Sequence, residues 1–369
     1  MNVERLHAIA VAVKQELDAQ ATPAAIERLV NGLQAMVEMP QQPQSQQEVS
    51  AAISELETRL PTAASNEFSA SWRQTLQELG IDDLLGDGLL QVVTGIMRRN
   101  EMTPAIANEE LKPYAERLRD TNSELNAMIQ AFGFFDVPTE DLEPGEVELS
   151  VLIPRGAVEN ELPDLGQEFI RLQRVLGPFV ELATGSRPDL KVRAIASSDF
   201  SVYLAAVPAA GWLIASALDK VLDLYKKVLE IRALRQQLQE QAVPDDAMQG
   251  ITDYASEIVA RGIEDIVAEM TEGHEELGGR IHELQTELRR SLNEIATRID
   301  QGYNFDVRSE PLPLEEAEDE DDTAPPEPSV DQQHLSSIHQ ISPRLKFLTP
   351  VGQPILSLPE SPSEDRGSE

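Results

Sequence analysis

Between Ile263 and Ile299 one apolar stripe fixes what the chain can build. Ile263, Ile266, Met270, His274, Leu277, Ile281, Leu284, Leu288, Leu292, Ile295 and Ile299 follow one another in ten steps over 36 residues. The mean step of 3.6 is the period of a straight α-helix and not the 3.5 of a sustained left-handed supercoil. A shorter stripe, Val221, Leu224, Val228, Ile231 and Leu238, precedes it, spoiled once by Arg235. The two are separated by a break near 241–247 that contains Pro244. Residues 208–308 therefore read as a long helical hairpin, coiled-coil-like in pattern. A second helix of ~55 Å at 1.5 Å per residue outruns its partner, which leaves the seam available for a second copy or another protein. Leu277, Ile281, Leu284, Leu288 and Ile295 are the candidate interaction residues on it.

Upstream, residues 1–137 carry apolar residues three and four apart with short polar breaks, a multi-helix region. Helices are expected over 3–20, 22–39, 48–60, 67–79, 81–99 and 104–132. Thr22-Pro23 and Thr103-Pro104 are helix starts, and Pro40 to Gln47 reads as a flexible low-complexity connection. The texture changes in 138–207, where Val147, Leu149, Val151 and Ile153 alternate with Glu146, Glu148, Ser150 and Leu152. A helix over Leu162 to Thr184, bent or broken at Gly177-Pro178, and strand-like runs at Leu190 to Ala196 and Phe200 to Val207 complete a β-α-β-β unit. If the first two strands are parallel neighbours, the crossover is right-handed and the sheet has three strands. The expected class is α+β, predominantly helical. Aromatic residues make up only 4% of the chain, so Leu, Val, Ile and Ala must form the cores, which also favours helices.

Residues 309–369 read as a disordered acidic, Pro-rich tail, with ten prolines and seven acidic residues among the eight from Glu315 to Asp322. An apolar island at 338–358 interrupts it. Leu345, Phe347 and Leu348 give that island the look of a docking peptide.

The chemistry on offer is sparse. Without a cysteine there is no disulfide, thiolate nucleophile or thiolate metal site, which fits a reducing cytoplasm. The start at Met1 lacks the basic and apolar segments of a signal peptide. His274-Glu275-Glu276-Leu277-Gly278 has glycine where a zinc-protease helix needs its second histidine. Asp83 to Gly88 resembles a calcium loop at three positions only, and Thr94 stands where the bidentate Glu belongs. No phosphate-cradling glycine motif or nucleophile elbow is present, and neither cofactor nor metal is expected. With a net charge of −35 and no clustered basic face, nucleic acid is not an expected partner.

The first functional expectation is thus a cytoplasmic, non-catalytic adaptor or scaffold with protein partners, or a homo-oligomer, using the long helices and the tail island. A second is a membrane-acting effector. Phe200 to Leu218 is nineteen residues without a charge, followed by Lys220, Lys226 and Lys227, with Leu213 and Ile214 at its apolar heart. A third is an enzyme with a dispersed site at the turns 184–189 and 197–199, the polar clusters near strand ends.

Overall fold

A computed structural model describes residues 2–158, 161–196, 200–241, 244, 248–274, 278–312, 328–348, 350 and 353–356. Its α+β architecture is predominantly helical, in two compact units, Met1–Asp141 and Leu142–Glu369.

The first unit consists of α1 (Val3–Ala19), α2 (Thr22–Glu38), α3 (Pro43–Arg59), α4 (Ala70–Leu79), α5 (Gly86–Arg99) and α6 (Pro104–Phe134). Asn2 caps α1 by accepting the Glu4 N–H at 3.0 Å, and Pro104 opens α6 in its first turn, while the Thr103 hydroxyl donates to Asn100 Oδ1 at 3.4 Å and makes no cap. The expected flexible connection is shorter than its composition suggested. Pro43 begins α3, because a proline at the first turn has a suitable φ and no N–H to leave unpaired. Ile9, Val13, Leu29, Leu33, Leu89, Leu111 and Leu118 meet in one core. Asp83 lies in a short turn before α5 and pairs with Arg117 at 2.9 Å. Arg5 and Glu140 close the unit through 2.8 and 3.0 Å hydrogen bonds between its first and last segments.

The second unit has a four-stranded sheet of β1 (Val147–Ile153), β2 (Lys191–Ala196), β3 (Phe200–Ala206) and β4 (Asn304–Ser309), in the order β2-β3-β1-β4. Every pairing is antiparallel, which corrects the expected parallel crossover. β3 lies between β1 and β2, and β4 covers the other edge of β1. Leu149 is level with Leu204 and Val307, and Val151 with Val202 and Phe305, so one face presents rows of buried apolar side chains.

Helices α7 (Leu162–Thr184), α8 (Pro208–Glu240), α9 (Gln249–Thr271) and α10 (Arg280–Asp300) share that core. Pro178 does not break α7, which runs through it. The long second helix of the expected hairpin is two helices. Gly273 and Gly278 between them adopt left-handed φ of +83° and +54°, which costs glycine little and stops helical propagation. Part of the expected tail is also folded. α11 (Val330–Ile341) has a capping box in which the Gln332 N–H donates to Ser329 Oγ at 3.2 Å and the Ser329 N–H to Gln332 Oε1 at 2.7 Å. The acidic block Glu315–Asp322 lies outside the described residues.

Candidate functional site

The island of the tail is seated in a cradle made by α8, β4 and the end of α10. α8 begins at Pro208 with a surface of small residues, and Gly211 is required there. A Cβ at this position would come within 2.5 Å of Val147 Cγ1 and 3.3 Å of Ile338 Cδ1. Its absence lets α11 lie close against α8, burying Leu335 and Ile338. Trp212 of α8 stacks on His334 of α11 with ring centroids 4.9 Å apart. Beyond α11, Leu345, Ile355 and Leu356 are buried in the same core. Burying a large aliphatic side chain contributes about 1.5–3 kcal/mol, so these five residues are the main attraction holding the segment.

Polar side chains of the cradle then grip the segment by its backbone. Asn304, the first residue of β4, accepts the Leu348 N–H at 2.7 Å and donates to the Leu348 carbonyl at 3.3 Å. Ser309, its last residue, donates to the Leu335 carbonyl at 3.3 Å. Asp300, the last residue of α10 and 1% exposed, uses both carboxylate oxygens. Oδ2 accepts the N–H groups of Ile355 and Leu356 at 2.6 and 2.7 Å. Oδ1 accepts the Tyr225 hydroxyl and Arg232 Nη1, each at 2.7 Å. Arg232 Nη1 also donates to the Asp300 carbonyl at 2.7 Å.

A buried carboxylate is costly unless it is paired and hydrogen-bonded, and here it is both. Burial, followed by the hydrogen bond to the Asp300 carboxylate, pushes the Tyr225 phenol well above its ordinary value, so it stays a donor. At the edge of the cradle Arg344 pairs with Asp219, whose carboxyl is raised by partial burial against the pull of that arginine. Chemically, the arrangement holds the chain's own segment: apolar surroundings for its side chains, carboxylate and amide for its backbone.

The structure brings together only some of the residues singled out in the sequence. Leu284, Leu288 and Ile295 are buried in the unit's own core and Ile281 packs partly buried against it, so this seam is taken up within the chain. Leu277 lies outside the described residues. Leu345 is fully buried, while Leu348 and Phe347 are half-buried. Leu213 and Ile214 face the core, and Phe200 to Leu218 is divided between β3 and the start of α8. Among the described residues no helix is long and apolar enough to cross a membrane.

In the turn 184–189, Gly185 ends α7 in a left-handed conformation and donates to the Glu181 carbonyl at 2.8 Å. Arg187 pairs with Glu181 and Glu287. Arg280 reaches Glu181 at 2.7 Å, and that hydrogen bond holds the Glu181 carboxyl below its ordinary value. Residues 197–199 lie outside the described residues. Among the described residues no group of three or more His, Cys, Asp or Glu could hold a metal ion.

Asp300, Arg232, Tyr225 and Asn304 escaped the reading of the sequence. Their one local signal is that Tyr225, Val228 and Arg232 are spaced to share a helix face, which puts a charge and a phenol on an otherwise apolar stripe. No family model, curated protein or solved structure matches this chain.

Proposed function

We propose that this protein is a non-catalytic protein–protein interaction protein, an adaptor or scaffold working in the cytoplasm, whose docking element is the C-terminal segment 328–356. The observation that carries the reading is the grip on the segment's backbone by Asp300 and Asn304. Main-chain hydrogen bonds combined with pockets for side chains are one recurring mode of peptide recognition. In the resting chain the segment is occupied by its own cradle. The long helices serve the function by building that cradle, since their apolar stripes are spent on the core. No observation favours the membrane or the enzymatic reading over this one.

The test compares three full-length forms by affinity purification from cells that make the protein: the natural chain, the cradle variant Asn304→Ala, Ser309→Ala, which leaves the segment itself intact, and a chain with 328–356 replaced by Gly and Ser. Undocking is expected to raise partner recovery several-fold and replacement to abolish it. The same partners in the same amounts from all three would overturn the reading.

A further inference from the structure

At the end of α6, Phe134 is 81% and Phe135 72% exposed, and their rings meet edge to face with centroids 5.1 Å apart. A lone exposed apolar residue is ordinary on a protein surface, whereas a contiguous aromatic pair marks an interaction site. The backbone beneath the pair is fixed. The turn closes α6 as a Schellman motif, in which the Val137 N–H donates to the Phe132 carbonyl at 2.9 Å and the Asp136 N–H to the Gly133 carbonyl at 3.3 Å. His7 of α1 supports the motif, with its ring 5.0 Å from that of Phe132 and its Nδ1 donating to the Val137 carbonyl at 2.9 Å. Further on, the Glu140 N–H donates to the Glu4 carbonyl at 3.1 Å and its carboxylate pairs with Arg5. Asp136 stands where this motif usually has glycine, and it adopts a left-handed φ of +52°. Strain kept at a position where glycine would relieve it points to a use for the carboxylate outside the turn.

We infer that Phe134 and Phe135 are the anchor of a further interaction surface, which seats in an apolar pocket bordered by Lys and Arg on another protein. Charge selects that occupant. No Lys or Arg occurs in the sequence between Arg119 and Arg155, and Asp136, next to the pair, and Asp141 are both exposed. Arg5 of α1 is buried and spent on Glu140. A second copy would bring the same acids against these, and an anionic lipid surface would repel them. Aromatic residues that enter a membrane interface are usually accompanied by Lys and Arg, which this surface lacks. A basic rim, by contrast, steers its protein in and fixes the orientation in which the rings enter the pocket. Rings presented by a backbone already held in one geometry lose little freedom on docking. The surface lies within the first unit and is independent of segment 328–356, and an adaptor needs two such separate surfaces.

The test puts a photoreactive benzoylphenylalanine in place of Phe135 in the full-length chain. Cross-links formed in cells that make the protein are located by mass spectrometry, and the protein they identify is purified and titrated against the natural chain and its variants. The expected cross-link falls in an apolar pocket edged by Lys or Arg. The double variant Phe134→Ala, Phe135→Ala should weaken the binding at least about tenfold. Asp136→Asn removes the charge with a residue type that tolerates this φ, and it should weaken binding several-fold and make it less sensitive to salt. The chain with 328–356 replaced by Gly and Ser should bind the same protein as tightly as the natural chain, so the result stands or falls apart from the docking reading. Denaturation of the double variant should leave the first unit's transition in place, because the rings lie in water. A large shift would show that they serve the fold and would overturn the proposal. So would cross-links confined to a second copy, to lipid or to the chain itself, no cross-link at all, or an affinity that the phenylalanine substitutions do not move.

Discussion

In the first unit α1 to α6 follow one another along the chain and their core is a continuous set of Ile, Leu, Val and Ala together with Phe68. The second unit is assembled from pieces far apart in sequence: β1 pairs with β4 across about 150 positions, and α10 closes on a segment more than fifty residues further on. The two also differ in buried charge. The first buries Glu16, whose carboxylate accepts the Ser65 N–H at 2.6 Å, and the Arg5–Glu140 pair near its rim. The second buries Arg232 with Asp300, Glu168 with Arg298 at 2.9 Å, and Glu148 beside Arg308 at 2.9 Å. Each of these pairs joins elements that are remote in sequence. An apolar pair tolerates sliding, whereas a buried ion pair tolerates almost none, so charge in the second unit specifies register more than it adds stability. The first unit also joins remote elements, α1 and α2 against α6, but does so mainly through apolar side chains, with the Arg5–Glu140 pair at its rim.

The comparison breaks first at Asp300. Asp300→Ala leaves Arg232 charged and buried, the Tyr225 hydroxyl without its acceptor, and two N–H groups of the segment unanswered. Removing one partner of a buried pair costs about 3–5 kcal/mol. That loss should fall on the second unit's transition in chemical denaturation, with faster hydrogen exchange at Ile355 and Leu356. A loss below about 1 kcal/mol would mean that the network does not organise the unit.

The next test uses one chemistry in both units. Leu111 of α6 and Leu335 of α11 are both essentially unexposed. Leu→Ala at a closed core site costs about 2–5 kcal/mol, and Leu111→Ala should lower the first unit's stability by that amount. Leu335→Ala should cost less globally, because α11 can open locally before the rest unfolds, and it should appear chiefly as exchange confined to 330–356. Equal global losses would show that the segment is as integral as α6.

This difference also governs what could be read from the sequence. Thr103-Pro104 announces α6 because the proline's fixed φ suits the first turn, although the Thr103 hydroxyl makes no cap, and the alternation Val147 to Ile153 announces β1 for an equally local reason. β4 has an alternation too, with Phe305 and Val307 inward, but its six residues follow a strong helical stripe and its pairing partner is β1. α11 was hidden by the proline and acid around it, although Ser329 and Gln332 already hold the spacing of a capping box. The period of 3.6 was correct on both sides of residues 272–279, and only Gly273 and Gly278 hinted that the stripe belonged to two helices. Leu345 was legible as an apolar residue in a polar tail. Asp300 was not, because nothing local distinguishes it from the other acids; its role comes from Ile355 and Leu356.

The smallest effect sets one carboxylate from each unit against the other in their response to acid. Burial raises the Glu16 carboxyl above its ordinary 4.5, with the Ser65 hydrogen bonds opposing, so the folded unit holds that proton more tightly than the unfolded chain. Its charged form is a burden at neutral pH, and the first unit gains stability as pH falls through the folded value toward 4.5, by about 1.4 kcal/mol per unit of difference. Glu181 runs the other way. The hydrogen bond from Arg280 lowers its carboxyl, so its contribution is complete above 4.5 and is lost as pH falls through the folded value. Denaturation at a series of pH values should therefore show the natural chain improving on Glu16→Gln as the medium becomes acidic, while its advantage over Glu181→Gln, at most about 1 kcal/mol for a pair near the surface, shrinks below 4.5. If both differences moved with pH in the same direction, Glu16 would be held by its hydrogen bonds rather than penalised by its burial, and the first unit would use charge as the second does.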